Sequence, residues 1–530
     1  MRHLCWAVLL ATAAAAQTPV IMISVDTLRG DRLMHAPNIS SWATQGGTLL
    51  SAATTQIPLT LPSHTTLLTS TYPYENHVEE NAGTVPAGLT TLASVLRARG
   101  YKTAAFIGSI FLERELGLDP GFDTYDSPFH FGAFSRLSGE MLAAGSAPTR
   151  ERRPGALVLR AASQWLAAHK GEPAFVFIHL FDVHKPWQAG SYNAQVAATD
   201  KLLAGFRQTL QSTGWWDRSL VVLTSDHGEG LGAHGESDHG YFIYQSTLHV
   251  PLLFHWPAGA ARLPAQLRQP VGLIDVAPSV LEFLHFPAPP AFRGRSFLDG
   301  SPRPVFSESV YARDSFGWAA LRSLRVGDWK YIDAPKPELY NLANDPGEGR
   351  NLVRENPAEA ARLKAQLAKY AAPAIAPKTS GDPQKNREVL ESLGYLAPGP
   401  RTASTGPGAD PKDRLPVLLR YEEALQMMAA RRYPAAIAVL RNILATDKTN
   451  LLVRRDLGLA LVELKDFQHA ITELQQVAAA APDDYVTRYQ LGLANERAGQ
   501  LRAAADQFAV AARIAPGSTQ AKEAVERLRR

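Results

Sequence analysis

From about Val417 to Arg530 the sequence repeats every 34 residues, and no other feature narrows the architecture as far. Tyr433, Phe467 and Leu501 stand 34 apart, as do Ala436, Ala470 and Ala504, and again Leu440, Leu474 and Phe508. Leu457-Gly458 returns as Leu491-Gly492, and Pro482 returns as Pro516. Apolar residues at helical spacing, with small residues where two helices would cross, describe a helix pair that cannot bury its apolar face alone. Neighbouring pairs must stack, so residues 417–530 are expected to form an all-α array of about three units. The alternative is a generic Ala-rich helical bundle.

The preceding part of the chain is of another kind. Val20-Ile21-Met22-Ile23-Ser24-Val25 is a continuous β-rich run, as in a strand buried on both faces of a parallel sheet. Thr91 to Arg99 reads as a helix, and Lys102 to Ile107, Phe175 to Phe181 and Leu220 to Thr224 read as strands. Strands alternating with helices up to about Tyr370 imply an α/β sheet covered on both faces. Ligands of such sheets bind at the C-terminal ends of the strands. Residues 371–416, rich in Pro, Gly, Ala and Ser, are expected to be a linker with a short helix at Asn386 to Leu393.

At the start, Arg2 and His3 precede an apolar run that fades into Ala11 to Ala16, and Ala14-x-Ala16 precedes Gln17. This is the pattern of a secretory signal peptide over residues 1–16. The run, about 13 residues long, is short of the roughly 20 that span a bilayer. Cleavage and export, to a periplasm or outside the cell, are expected, with no integral membrane segment afterwards. Cys5 is the single cysteine, so a disulfide framework and a Cys-rich zinc module are both excluded. With 54 Lys and Arg against 50 Asp and Glu, the net charge of +4 gives no support for a nucleic-acid partner.

Four segments carry reactive side chains. Asp26 ends the first strand, where a buried carboxylate needs a partner or a metal. Thr60-Leu61-Pro62-Ser63-His64 opens a helix, and a hydroxyl at that positive end suits an anion, though an ordinary Thr cap is the simpler reading. Asp226-His227 follows a strand and can reach one cation. His179-Leu180-Phe181-Asp182-Val183-His184 ends another strand, and continued alternation would put Asp182 and His184 on one face.

Taken together, the order and spacing of these segments resemble the sulfatase branch of the alkaline-phosphatase superfamily, over roughly Pro19 to Leu367. The 34-residue period resembles the tetratricopeptide repeat. The resemblance implies an α/β sandwich with a mostly parallel central sheet, its C-terminal subdomain starting near residue 300 and carrying Trp329-Lys330-Tyr331-Ile332 and Glu338 to Glu348. It implies a nucleophile at Thr60, metal ligands at Asp26, Thr60, Asp226 and His227, and substrate contacts at His64, Asn81, His184 and His239. Asn81 follows Thr60 by 21 residues, and His239 follows His227 by 12.

The departures are informative. Family members convert a Cys or Ser nucleophile to formylglycine, which Thr60 cannot become. A sulfated Thr has no easy exit, whereas water can displace a phosphorylated Thr in line at phosphorus. The sequence therefore points to a metal-dependent hydrolase of phosphate or related esters with a covalent intermediate. Its rivals are a sulfuric ester hydrolase with an atypical nucleophile, a phospho-group transferase, and an inactive scaffold that binds partners through its repeats. One imidazole, two carboxylates and a Thr oxygen favour one zinc or manganese ion over calcium. A second metal is allowed if Asp182, His184 and His239 converge. A small ester is the expected substrate, with a protein or peptide partner on the repeats, which are expected to be dispensable for catalysis.

Overall fold

In this computed structural model, residues 18–81, 83–129, 152–370, 399–400 and 408–529 are described. The leader expected over residues 1–16 and the short helix expected at Asn386 to Leu393 lie outside them. Among the described residues, no helix is long and apolar enough to cross a membrane.

The strands in chain order are β1 (Val20–Val25), β2 (Gly47–Leu50), β3 (Ala53–Thr54), β4 (Lys102–Phe106), β5 (Thr124–Asp126), β6 (Ala174–Leu180), β7 (Leu220–Thr224), β8 (Leu252–His255), β9 (Gln266–Leu267), β10 (Val271–Gly272), β11 (Val305–Ser309), β12 (Leu321–Val326), β13 (Trp329–Asp333) and β14 (Glu338–Asn341). Eight of them form one sheet in the order β5-β4-β6-β1-β7-β8-β2-β9. The five from β5 to β7 are parallel, and β8 runs against both β7 and β2. β11 to β14 form a separate antiparallel sheet in chain order.

The β-rich runs become central strands because both of their faces are covered. In β1, Val20 and Met22 enter one hydrophobic core while Ile21, Ile23 and Val25 enter the other. In β6, Phe175 and Phe177 divide from Val176, Ile178 and Leu180 in the same way. Period-two alternation thus supplies two cores from one strand, and the only polar residues in these two runs are Ser24 and His179, paired near the strand ends.

Beyond residue 411, seven helices follow from Leu415–Ala429 to Thr519–Arg529. Gly458 lies against Leu474 and Gly492 against Phe508, so closely that a Cβ at either glycine would clash with that side chain. This close helix crossing is the physical content of the 34-residue period. The array is not separate from the sheet domain: Leu418, Tyr421 and Ala424 lie in the same buried cluster as Phe316 and Trp318. Before it, Ala319 donates its N–H to Ala409 O (2.8 Å) and Lys336 donates its N–H to Asp410 Oδ2 (2.9 Å), docking the chain ahead of the first repeat helix.

Candidate active site

β6, β1 and β7 are neighbours running in one direction, so the residues that follow them share one edge. Asp26 follows β1 and donates its N–H to Leu180 O (2.8 Å), at the end of β6. Asp226 and His227 follow β7. His179, inside β6, is in register with Ser24 of β1.

The helix Thr60–Thr69 enters this edge with all ten residues buried. Leu59, in extended conformation, is its cap, and Thr60 is its first residue. The Thr60 side chain caps nothing. Its hydroxyl donates to Asp26 Oδ2 (3.3 Å) and lies 3.5 Å from His227 Nε2. Asn81 does the capping instead, with its Oδ1 accepting from Leu61 N–H (2.9 Å). Its buried Nδ2 has no hydrogen-bond partner.

The two acids are half satisfied. Asp226 Oδ1 accepts from the N–H of His227 (2.8 Å) and of Thr27 (3.2 Å), while its Oδ2 has no hydrogen-bond partner. Asp26 Oδ2 accepts from Thr60 and from His179 Nε2 (3.3 Å), while its Oδ1 has none. Burial, then the Asp226 charge, pushes the Asp26 carboxyl well above the usual carboxylate range. Burial alone would also raise Asp226. The surrounding imidazoles, His227 foremost, outweigh it and hold that carboxyl below the usual range.

Two buried carboxylates with unpartnered oxygens are costly, and a cation between them removes the cost. The donor chemistry fits one. Asp26, Asp226 and His227 each offer a ligand atom, all within 4.8 Å of one another. His227 Nδ1 lies 2.9 Å from Gly228 O, and a carbonyl only accepts, so the proton sits on Nδ1. Nε2 is left as a lone pair facing Asp226 Oδ2 (3.4 Å) and Thr60. A backbone carbonyl thus fixes the ligand tautomer.

His64, expected to contact the ester, is instead held at both ring nitrogens. Its Nδ1–H donates to Thr60 O (2.8 Å), and Nε2 accepts from Ser24 Oγ (2.8 Å). Burial lowers its pKa to about 3, so it is neutral. It orients the Thr60 backbone from beneath.

His184 and His239 flank the pair. His239 Nδ1 donates to Glu229 Oε1 (3.1 Å), and its ring lies 4.2 Å from that of His227 and 5.5 Å from that of His184. His184 stacks on Phe181 at 4.4 Å. Burial, then His239 and Arg152, holds the His184 imidazole well below its ordinary value.

Asp182 does not join them. The strand stops at Leu180, so alternation ends there, and Asp182 Oδ1 accepts from Gly155 N–H (3.1 Å) at the start of the helix Gly155–Ala168. Among the described residues, the second group with ligand spacing is His64, His179 and Asp226, not Asp182, His184 and His239.

Sequence reasoning gave no role to His179, Glu229, Arg152 or Ser24. A histidine inside an otherwise apolar strand was the available signal for His179. Arg152, which donates from Nη1 to His184 O (3.1 Å), left no signal in the sequence.

A family profile described as Sulfatase matches residues 20–286, just over half of the 530 residues, and a tetratricopeptide-repeat profile matches residues 427–496. Arylsulfatase K of Bos taurus is 29% identical over 192 residues, which cover 33% of this chain and 35% of its own length. The chain thus spans about a third of the length of the curated relatives it matches. The phosphonate monoester hydrolase of Agrobacterium radiobacter superposes with a TM-score of 0.53 at 21% identity, covering 66% of this chain and 95% of that one. A protein solved with its substrate D-glucosamine-2-N,6-O-disulfate superposes with a TM-score of 0.54 at 17% identity, covering 67% and 97%. These two likenesses establish the fold. The profile match over half of its length establishes more: the chain belongs to the sulfatase family.

Proposed function

We propose that the protein is a metal-dependent ester hydrolase that passes a phosphoryl group first to Thr60 and then to water. The observation that carries this reading is the Thr60 hydroxyl, which sits between Asp26 Oδ2 and His227 Nε2 instead of capping its helix. Asp26, Asp226, His227 and the Thr60 oxygen would hold one divalent ion, and this mixed donor set favours zinc or manganese over calcium. The chemistry such an ion supplies is positive charge, which lowers the pKa of the hydroxyl and draws electrons from the ester.

The chain's own residues do the rest. The Thr60 proton leaves along its hydrogen bond to Asp26. Its oxygen bonds to phosphorus as the bond to the leaving oxygen breaks. His239, anchored on Glu229, and the Asn81 amide hold the non-bridging oxygens. An anionic ester opposes the burial that keeps His184 neutral, so His184 takes up a proton on binding and gives it to the leaving oxygen. Water then attacks phosphorus and gives a proton to the now neutral His184, while the bond to Thr60 breaks and Asp26 returns its proton to the Thr60 oxygen.

A second reading, sulfuric ester hydrolysis by an unmodified Thr, is favoured by the arylsulfatase names of the curated relatives. The test is acid-quenched turnover of matched aryl phosphate and aryl sulfate esters, followed by mass location of any adduct. A phosphate adduct on the Thr60 peptide is expected. A sulfate adduct supports the second reading. Absence of adduct, turnover and tight metal leaves only the inactive scaffold.

A further inference from the structure

The segment from Glu229 to Tyr241 carries His239, and its base is tied to the sheet domain. Arg29 Nη1 donates to Glu229 O (3.0 Å), which makes that tie, and Glu236 Oε1 accepts the N–H of Tyr241 (2.8 Å), which closes the segment on itself. Between these ties the backbone is in left-handed conformation at Leu231, Gly232, His234 and Gly235. Non-glycine residues hold that conformation only where the surroundings impose it.

The surroundings include the first repeat helix, Leu415–Ala429, which packs on the segment at its first residue and approaches it through charge and through a shared aromatic ring further along. Leu415 covers Gly235, where an added Cβ would run into its Cδ2. Glu422 shares the field of Asp238, which is itself paired with Lys185, the neighbour of His184. Tyr421 faces the Phe316 ring edge-on at 5.4 Å, and the Tyr241 ring lies 6.3 Å from the same Phe316 ring. A helix of the repeats therefore packs, through Leu415, on the segment that carries His239.

We infer that the first repeat helix braces the His239 segment, with Leu415 as a positioning residue, so that the repeats are a working part of the active site. The bracing rests on the packing alone, and its effect on turnover rests on the function proposed above. A partner that shifts this helix would change turnover without touching the ester.

The experiment compares the full chain with Leu415→Ala, the conservative Leu415→Met, and Leu501→Ala as a control at an exposed position of a later repeat helix. Amide exchange over residues 231–241 is expected to quicken about ten-fold in Leu415→Ala, to recover in Leu415→Met, and to stay unchanged in β1. With the aryl ester that the wild type turns over, kcat should fall about ten-fold or more, and Leu415→Ala should add little to His239→Ala. Should Leu415→Ala fail to fold, Gly235→Ala disturbs the same contact from the other side. Unchanged exchange overturns the bracing. Faster exchange with unchanged kcat overturns the positioning role. A wild type inert towards both ester classes defeats the proposed function, while exchange still decides the bracing.

Discussion

Tyr421 of the first repeat helix meets Phe316 of the sheet domain edge-on at 5.4 Å, and both rings are buried in one cluster. The two parts of the chain share a core there. Tyr421→Ala should lower stability by about 3 kcal/mol in urea unfolding. Deleting residues 415–530 bares Phe316 and Trp318 and should yield aggregated protein. A soluble, fully active truncation would show that the repeats are a detachable appendage.

The proposed function places a cation between Asp26 and Asp226. Chelation should lower the melting temperature, since a ligand at a thousand times its Kd contributes about 4 kcal/mol. Asp26→Asn should lose the response to added zinc or manganese. It should nevertheless be at least as stable as the chelated wild type, because a buried like charge has been removed. Calorimetry with and without chelator checks both.

Thr60→Ala should reduce turnover at least about a thousand-fold, and Thr60→Ser should keep a hydroxyl and hence measurable activity and adduct. Equal loss in both variants would mean that the methyl group, not the oxygen, matters.

Burial lowers His64 to about 3, His179 to about 4 and His255 to about 4, which holds each of them neutral. The unfolded chain takes up these protons near pH 6.5 and the folded chain only near 4 or below. Stability is therefore fully present above pH 6.5 and drains away as pH falls towards 4. His255, stacked on Trp216 at 4.1 Å, is outside the site and isolates the effect. His255→Phe should flatten the slope by at most about 1.4 kcal/mol per pH unit, read from denaturant midpoints between pH 7 and 4.

Lys330 Nζ donates to Glu348 Oε1 (2.6 Å) and to Ile243 O (2.6 Å), with both charged side chains buried. Lys330→Met leaves Glu348 charged without its partner and should cost about 3–5 kcal/mol. Replacing both residues with apolar ones should restore much of it.

Much of this was legible. The run Val20–Val25 and the run Leu220–Thr224 are strands with the expected limits, because a short, mostly apolar run rich in β-branched residues buries both faces as a central strand. Asp26, Asp226 and His227 converge as their positions at strand ends implied. Asp182 was misread because alternation holds only while the strand lasts, and this one ends two residues earlier. The ester contact expected of His64 follows from the family resemblance, and nothing in the sequence reveals its bond to Ser24, 40 residues away.

The sequence by itself determined four of the parallel strands of the large sheet, where the helix pairs repeat, and that Asp26, Asp226 and His227 follow strand ends, since all of these depend on covalent order and periodicity. Only the tertiary structure decided which histidine nitrogen carries the proton, which acid keeps a bare oxygen, and which helix leans on the His239 segment. Those properties come from interatomic distances that covalent order does not fix, whether the partner is the adjacent Gly228 carbonyl at His227 or Leu415 at Gly235, and burial magnifies the electrostatic consequence of each.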